Sequence, residues 1–232
     1  MSNSAQGGRR TASVLLGAVV LFGLSVVAAP AQNTAAGAAA AGLRPFLSSI
    51  PEGREADFGF ATRGEFELAT LGSPYELVSI LPHDLATASA VRPDILVPMD
   101  TFRFPVLCKG KIRALLTVAR VEGEWKAVDF GAAGLAAAVE RFEENVPSPG
   151  EGARKLLLRL YQLKIDFAGF LPRDRGPEDG LFVPLPSALA AIGAGPQEII
   201  LYTFPETLKI VRDKFAGLPE SLRGEVKKGG IR

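Results

Sequence analysis

The chain contains one cysteine, Cys108, and one histidine, His83. A thiol beside an imidazole can act as a nucleophile with its base. Cys108, however, shares its parity with Phe102, Phe104 and Val106 in an apolar run, where an unpaired cysteine usually behaves as a small hydrophobic residue. We therefore expect Cys108 to be buried. A hydrolase that uses carboxylates or the Cys108/His83 pair is the alternative hypothesis.

Carboxylates cluster in the charged loop RDRGPEDG, which contains Asp174, Glu178 and Asp179. Such a loop could bind calcium or a partner, but it lacks the fixed ligand spacing of a cation-binding loop. His83 has no companion at metal-ligand spacing. The sequence also contains no Walker loop, G-x-S-x-G or G-x-G-x-x-G motif. We therefore predict no metal and no other cofactor.

Trp125 is the only tryptophan and follows the turn dipeptide Glu122-Gly123. An exposed tryptophan is a frequent binding residue, whereas one beside a hairpin turn can instead form a cross-strand pair. Trp125, Asp174, Glu178 and Asp179 are the candidate binding residues of the sequence.

The N-terminus has the pattern of a secretory signal peptide. Arg9 and Arg10 precede a charge-free run over residues 11–29, and Ala29-Pro30-Ala31 supplies the small residues of a cleavage site. The alternative is an uncleaved anchor, because this run is long enough to span a bilayer. We predict a signal peptide over residues 1–31 and a periplasmic or secreted bacterial protein, with membrane contact only through an uncleaved N-terminal segment.

Charge and cysteine content narrow the class of protein. Residues 1–31 carry two arginines and no acid, so their removal leaves 24 basic and 25 acidic residues and a net charge of −1. Nucleic-acid binding requires a basic face, and the sequence shows none. A single cysteine forms no internal disulfide, so an exported chain of this kind depends on its apolar core.

Residues 102–131 predict a three-stranded antiparallel meander. Three apolar, β-branched runs are separated by Lys109-Gly110 and Glu122-Gly123, and X-Gly dipeptides between such runs are typical of hairpins. Alternation places Phe102, Phe104, Val106 and Cys108 on one face. We expect Ile112, Ala114, Leu116 and Val118 to form the matching apolar face of the second strand.

Local signals predict the remaining elements. The predicted helices begin after capping boxes at Thr62 and Thr203 or cover residues 132–146 and 187–192. The predicted strands cover residues 75–81, 155–171 and 198–202, although the periodicity of 155–171 also fits a helix.

These elements predict an α+β protein with a curved antiparallel β-sheet and helices packed on one face. After the signal peptide we expect a flexible Ala/Gly-rich linker over residues 32–42. An α+β domain with the meander then spans 43–146. A second α+β half over 150–219 packs on or continues the same sheet, and 220–232 form a loose tail.

Three stretches resemble segments of exported bacterial proteins of unknown function: residues 58–80, 102–118 and 123–131. The order of a helix followed by an antiparallel sheet also resembles a cystatin-like or NTF2-like plan. These resemblances imply a fold and carry no function or catalytic residue with them.

Together these observations favour an exported, non-catalytic protein that binds a protein, peptide or small ligand on its sheet or in a cleft under a helix. A membrane-tethered envelope assembly component is a further alternative.

Cleavage of the signal peptide has a direct consequence for mass. We expect the exported protein to begin at Gln32, because Ala31 is the last residue of the predicted cleavage site. Intact mass spectrometry of the exported protein should then show a chain lighter than the full 24.5 kDa by residues 1–31. A full-length mass would instead support the uncleaved anchor.

Overall fold

The structure is a computed structural model that describes residues 34–223 except 89, 149, 196 and 197. The predicted signal peptide and residues 224–232 of the predicted tail lie outside the described residues. Its helices are α1 (Ala35–Ser49), α2 (Pro82–Thr87), α3 (Ala133–Asn145), α4 (Pro186–Ile192) and α5 (Phe204–Ala216). Its strands are β1 (Thr70–Leu71), β2 (Tyr75–Ser79), β3 (Val97–Cys108), β4 (Lys111–Val121), β5 (Glu124–Gly131), β6 (Arg154–Leu160), β7 (Ile165–Leu171), β8 (Leu181–Pro184) and β9 (Tyr202–Thr203). Short 3-10 helices cover Glu55–Phe58, Arg63–Leu68, Pro177–Asp179 and Glu220–Leu222.

The strands form one open sheet in the order β5-β4-β3-β2-β6-β7-β8-β9, and β1 pairs with β3. Every neighbouring pair is antiparallel except β2 and β6, which are parallel. The α+β class with a mostly antiparallel sheet and packed helices is thereby confirmed. Because β6 pairs with β2, the strands after α3 continue the sheet that contains the meander.

The predicted meander is present as β3, β4 and β5. Lys109-Gly110 and Glu122-Gly123 both have positive φ angles at their two positions, which is the conformation of a two-residue type I′ hairpin turn. Val106 and Leu116 are fully buried. The X-Gly signals therefore located both turns correctly.

A β-bulge at Arg113 changes the predicted face of one residue. The register passes from Val106 opposite Ala114 to Leu107 opposite Ile112, so β4 has one extra residue there. Ile112 consequently packs with α3, whereas Ala114 packs on the opposite face. The expectation that Ile112 shares a face with Ala114 was wrong because alternation cannot reveal a bulge.

Helices cover both faces of the sheet rather than the one face that was predicted. Leu116 belongs to a buried cluster with α1, and the adjacent Leu115 belongs to a cluster with α3. Successive strand residues point to opposite faces. We call these the α1 face and the α3 face; α2 and α5 pack on the α1 face through Leu158 and Phe167.

The predicted flexible linker at residues 32–42 is wrong from residue 35 onward, because α1 begins there. Thr34 caps the helix by accepting a hydrogen bond from the Gly37 amide at 3.0 Å. Ala39 is fully buried in the cluster on the α1 face. Small side chains let the helix approach the sheet closely, so this composition indicates a packed helix here.

The capping box that was predicted at Thr62 is not formed. Thr62 makes no capping hydrogen bond, and the Glu65 carboxylate accepts from the Ala61 amide and from Lys109 instead. The segment that follows is a 3-10 helix.

The single strand that was predicted over residues 155–171 is a hairpin formed by β6 and β7. Its turn at residues 161–164 contains no glycine, and Lys164 adopts a positive φ of 55°.

The predicted buried strand over residues 198–202 is also wrong. Only Tyr202 of that range lies in a strand, and Ile199 and Leu201 are 39% and 48% exposed. The β8–β9 ladder ends at Phe182 opposite Tyr202. Continuing that register would bring Ile200 opposite Pro184, which has no amide to donate.

The capping box at Thr203 is confirmed: Thr203 and Glu206 each accept from the other's amide. Helix α5 buries Leu208, Val211 and Phe215 as its periodicity predicted. Helices α3 and α4 also lie within one residue of their predicted bounds.

Two glycines test whether residues 35–42 are a packed helix. A Cβ on Gly42 would overlap the Cβ of Ala127 on β5, so we expect Gly42→Ala to lower the free energy of unfolding by about 1–3 kcal/mol. Gly37 is exposed in the same helix, and Gly37→Ala should raise it by about 0.5–1 kcal/mol because alanine favours helix. Urea unfolding measures both, and two unchanged variants would support a linker.

Candidate functional site

Four side-chain positions form a row across the α3 face. Tyr75 on β2 lies opposite Arg103 on β3, Arg103 lies opposite Thr117 on β4, and Thr117 lies opposite Asp129 on β5. Neighbouring strands are roughly 4.8 Å apart, so Arg103 and Asp129 are separated by roughly 10 Å of sheet. The row therefore holds a cation and an anion on one face without direct pairing.

Helix α3 covers one end of this row. The Tyr75 hydroxyl donates to Glu143 Oε1 at 2.7 Å, and Lys155 Nζ donates to the same oxygen at 2.6 Å. Burial raises the pKa of Tyr75 well above its ordinary value, and the negative charge of Glu143 raises it further. Tyr75 is thus a neutral donor that holds α3 against the sheet.

Beyond α3 this face carries an ion pair whose side chains are only partly exposed. Arg159 on β6 lies opposite Asp166 on β7, and their Nε and Oδ1 atoms are 2.9 Å apart. The Arg159 guanidinium also lies 5.8 Å from the ring centroid of Tyr161. The Asp166 amide donates to Ser187 Oγ at 3.0 Å. These contacts fix the second basic group of the site.

Arg103 is the group at the centre of this region that lacks a direct partner. Within the described residues its side chain forms no hydrogen bond or ion pair, and its Nε is buried. Burial lowers the pKa of Arg103, and the charge of Arg159 lowers it further, while Asp166, Asp129 and Tyr161 act in the opposite direction. The charged form is therefore held in an unfavourable environment that a nearby anion would relieve.

Two other described residues, Arg113 and Gln162, have buried side-chain atoms without a hydrogen-bond partner, and only Arg113 is also a cation. Arg113 also has a buried Nε without a partner, but the Glu65 carboxylate interacts with its charge. The Ala61 amide and the Lys109 ammonium hold the pKa of Glu65 below its ordinary value, so Glu65 stays ionised. Arg113 thus has a fixed counterion nearby.

The two carboxylates whose charges act on Arg103, those of Asp166 and Asp129, also make other contacts. Asp166 pairs with Arg159, and Asp129 Oδ1 accepts from the Phe130 amide at 2.9 Å. An added oxyanion is therefore the group that fits the unused donors of Arg103. The part of the α3 face that carries Arg103, Thr117, Asp129, Arg159 and Asp166 is the candidate anion site.

A concave surface that does not include Arg103 lies between α2 and α5, with a volume of about 560 Å³. Its lining is largely apolar and includes Leu85, Leu208 and Phe215. Its Arg212 already donates to the Leu85 carbonyl oxygen at 3.3 Å. This groove therefore offers less specific chemistry than Arg103.

The predicted binding residue Trp125 lies on β5, half-buried and opposite Arg120 on β4. Its ring centroid is 5.3 Å from that of Phe102 and 5.7 Å from the Arg120 guanidinium. It packs against the cluster on the α1 face. Trp125 is thus a cross-strand partner on the face opposite to Arg103.

The predicted acidic residues lie in the loop between β7 and β8. Asp174 is exposed and lies 4.0 Å from Arg173, and Asp179 lies 3.6 Å from Arg175. Glu178 is exposed in the 3-10 helix Pro177–Asp179. Among the described residues no three His, Cys, Asp or Glu side chains converge as metal ligands.

The structure does not bring Cys108 and His83 together. Cys108 is fully buried on the α1 face, with its Sγ 3.7 Å from the Glu65 carbonyl oxygen. His83 is exposed on α2, where its Nε2 lies 3.5 Å from Thr87 Oγ1. The expected burial of Cys108 is confirmed.

Comparison of the chain with protein-family models, curated proteins and solved structures finds no match. Its function therefore has to be inferred from the arrangement of its own side chains.

Sequence reasoning missed Arg103 because it lies between Phe102 and Phe104 in an alternating run. A charged residue at that parity is ordinary on the solvent side of a two-layer sheet. The available signal was the basic side chain in the otherwise apolar run of residues 102–108. Its lack of a partner depends on strands that are distant in sequence.

Burial of Cys108 predicts its reactivity. We expect no reaction with a thiol reagent in the native protein and one equivalent after unfolding, because a reagent cannot reach a fully buried thiol. Val121→Cys is a positive control, since Val121 is 37% exposed on β4. Rapid labelling of native Cys108 would contradict the structure.

Proposed function

We propose that this protein is an exported, non-catalytic binding protein whose candidate anion site on the α3 face binds a small molecule through an oxyanion such as a carboxylate or a phosphate. The observation that carries the proposal is the half-buried guanidinium of Arg103 without a hydrogen-bond or ion-pair partner among the described residues.

The chemistry of arginine supports this ligand class. A guanidinium presents five N–H donors in a planar fork that matches a carboxylate or phosphate. A partly buried charge without a partner costs free energy, and a ligand that supplies the opposite charge recovers part of that cost. Arg159, held in place by Asp166, adds positive charge on the same face.

The surrounding groups support binding rather than catalysis. Tyr75 is a neutral donor to Glu143, and Asp166 is paired with Arg159. The hydroxyl of Tyr75 and the carboxylate of Asp166 are therefore engaged in contacts that hold α3 and the sheet. The site has a charged anchor with neighbours fixed by other contacts, which is the composition of a recognition site.

Export is part of the proposal and rests on the N-terminal pattern. The start of α1 supports it, because Thr34 caps the helix only three residues after the expected cleavage point at Ala31. Within residues 34–223, as far as the structure describes them, no helix is long and apolar enough to cross a membrane.

The anion site is tested by replacing Arg103 and adding inorganic phosphate or citrate at constant ionic strength. At a concentration of roughly ten times Kd, a ligand specific for the native state raises the free energy of unfolding by about 1.4 kcal/mol. We expect this increase in the wild type and its loss in Arg103→Met. Without anion, Arg103→Met should be at least as stable as the wild type, because the buried charge is removed.

Arg113→Met is the matched control, since Arg113 has the same kind of buried Nε but has Glu65 nearby. On addition of the anion, the free energy of unfolding of Arg113→Met should rise as much as that of the wild type, whatever the stability of the variant without anion. A larger response to citrate identifies a carboxylate ligand and a larger response to phosphate a phosphate ligand. An undiminished response in Arg103→Met would overturn the proposal.

A further inference from the structure

The segment that sequence analysis placed in a buried strand lies at the outer edge of the sheet. Residues 198–202 read EIILY, which is rich in residues that favour strands. Ile199 and Leu201 are nonetheless 39% and 48% exposed, and β9 begins only at Tyr202. A strand-forming sequence at a sheet edge without a neighbour can pair with another chain.

The backbone of this segment is available for pairing. Among the described residues no backbone hydrogen bond is formed by Ile199, Ile200 or Leu201. Tyr202 pairs with β8, and the Phe204 amide donates to the Gly180 carbonyl oxygen at 2.9 Å. Backbone groups alternate in direction along a strand, so the amides of Ile199 and Leu201 point away from β8 when the strand is extended.

The order of residues fits antiparallel pairing of the segment with itself. If Ile200 lies on the two-fold axis, Ile199 lies opposite Leu201 and Glu198 opposite Tyr202. No like charges face each other, and apolar side chains meet apolar ones. A self-complementary patch of this kind is what a two-fold interface requires.

We propose that residues 199–201 pair with the same residues of a second copy of this chain, antiparallel and centred on Ile200, so that two sheets join edge to edge. Ile199 and Leu201 each form a hydrogen-bonded pair with the partner, which gives four backbone hydrogen bonds. The contact is short, so the association is weak and concentration-dependent, in the range of small transient interfaces.

A disulfide trap tests this register. In the proposed dimer the two Ile200 residues form a non-hydrogen-bonded pair with Cα atoms about 4.5 Å apart, which lies within the range that a disulfide can bridge. Ile200→Cys, made in the full chain with Cys108→Ala, should give a disulfide-linked dimer on mild oxidation. Non-reducing electrophoresis measures it.

The control is Val128→Cys in the same background, because Val128 is also 39% exposed but lies on β5 at the opposite edge. It should remain monomeric. Adding Leu201→Pro to Ile200→Cys removes one outward amide and should reduce the linked fraction at least tenfold, with folding checked by circular dichroism. A monomeric Ile200→Cys protein, or equal linking of Val128→Cys, would overturn the proposal.

Discussion

The parallel pairing of β2 with β6 is the contact on which the rest of the fold depends. It joins the meander to the later strands, so that one sheet runs from β5 to β9. Both strands bury side chains on both faces: Leu77 and Leu157 lie under α3, while Val78 and Leu158 face the opposite layer. Strand segments buried on both faces are largely apolar, and the middle residues of these two strands contribute to the clusters on both sides of the sheet.

Helix α3 covers only part of its face, and this partial cover creates the candidate site. Where α3 lies, Tyr75 and Phe142 are fully buried, and Tyr75 and Lys155 both donate to Glu143. One strand further along the same row, Arg103 has neither the helix nor a counterion in contact. The fold therefore tolerates an unfavourable charge at one position, which is characteristic of binding sites, where stability and function conflict.

Local chemistry was sufficient to predict much of the secondary structure. The hairpin turns at Lys109-Gly110 and Glu122-Gly123 need positive φ angles, and glycine supplies one of them cheaply. The capping box at Thr203 involves residues three apart, so it too is visible in the sequence. Local signals failed where a competing contact came from elsewhere, since Glu65 accepts from Lys109 instead of completing a cap. They also failed where a turn lacks glycine, as at Lys164.

The sequence by itself determined the α+β class, the meander, and the burial of Cys108, because each follows from alternation or turn chemistry within about ten residues. Only the tertiary structure decided which residues share the candidate site. Arg103 and Arg159 come from β3 and β6, which are not adjacent in the sheet. Whether Arg103 has a charged partner, and whether Ile199 has a neighbouring strand, depends on where segments that are distant in sequence lie. Such relations are set by the packing of the whole sheet, and no local pattern encodes them.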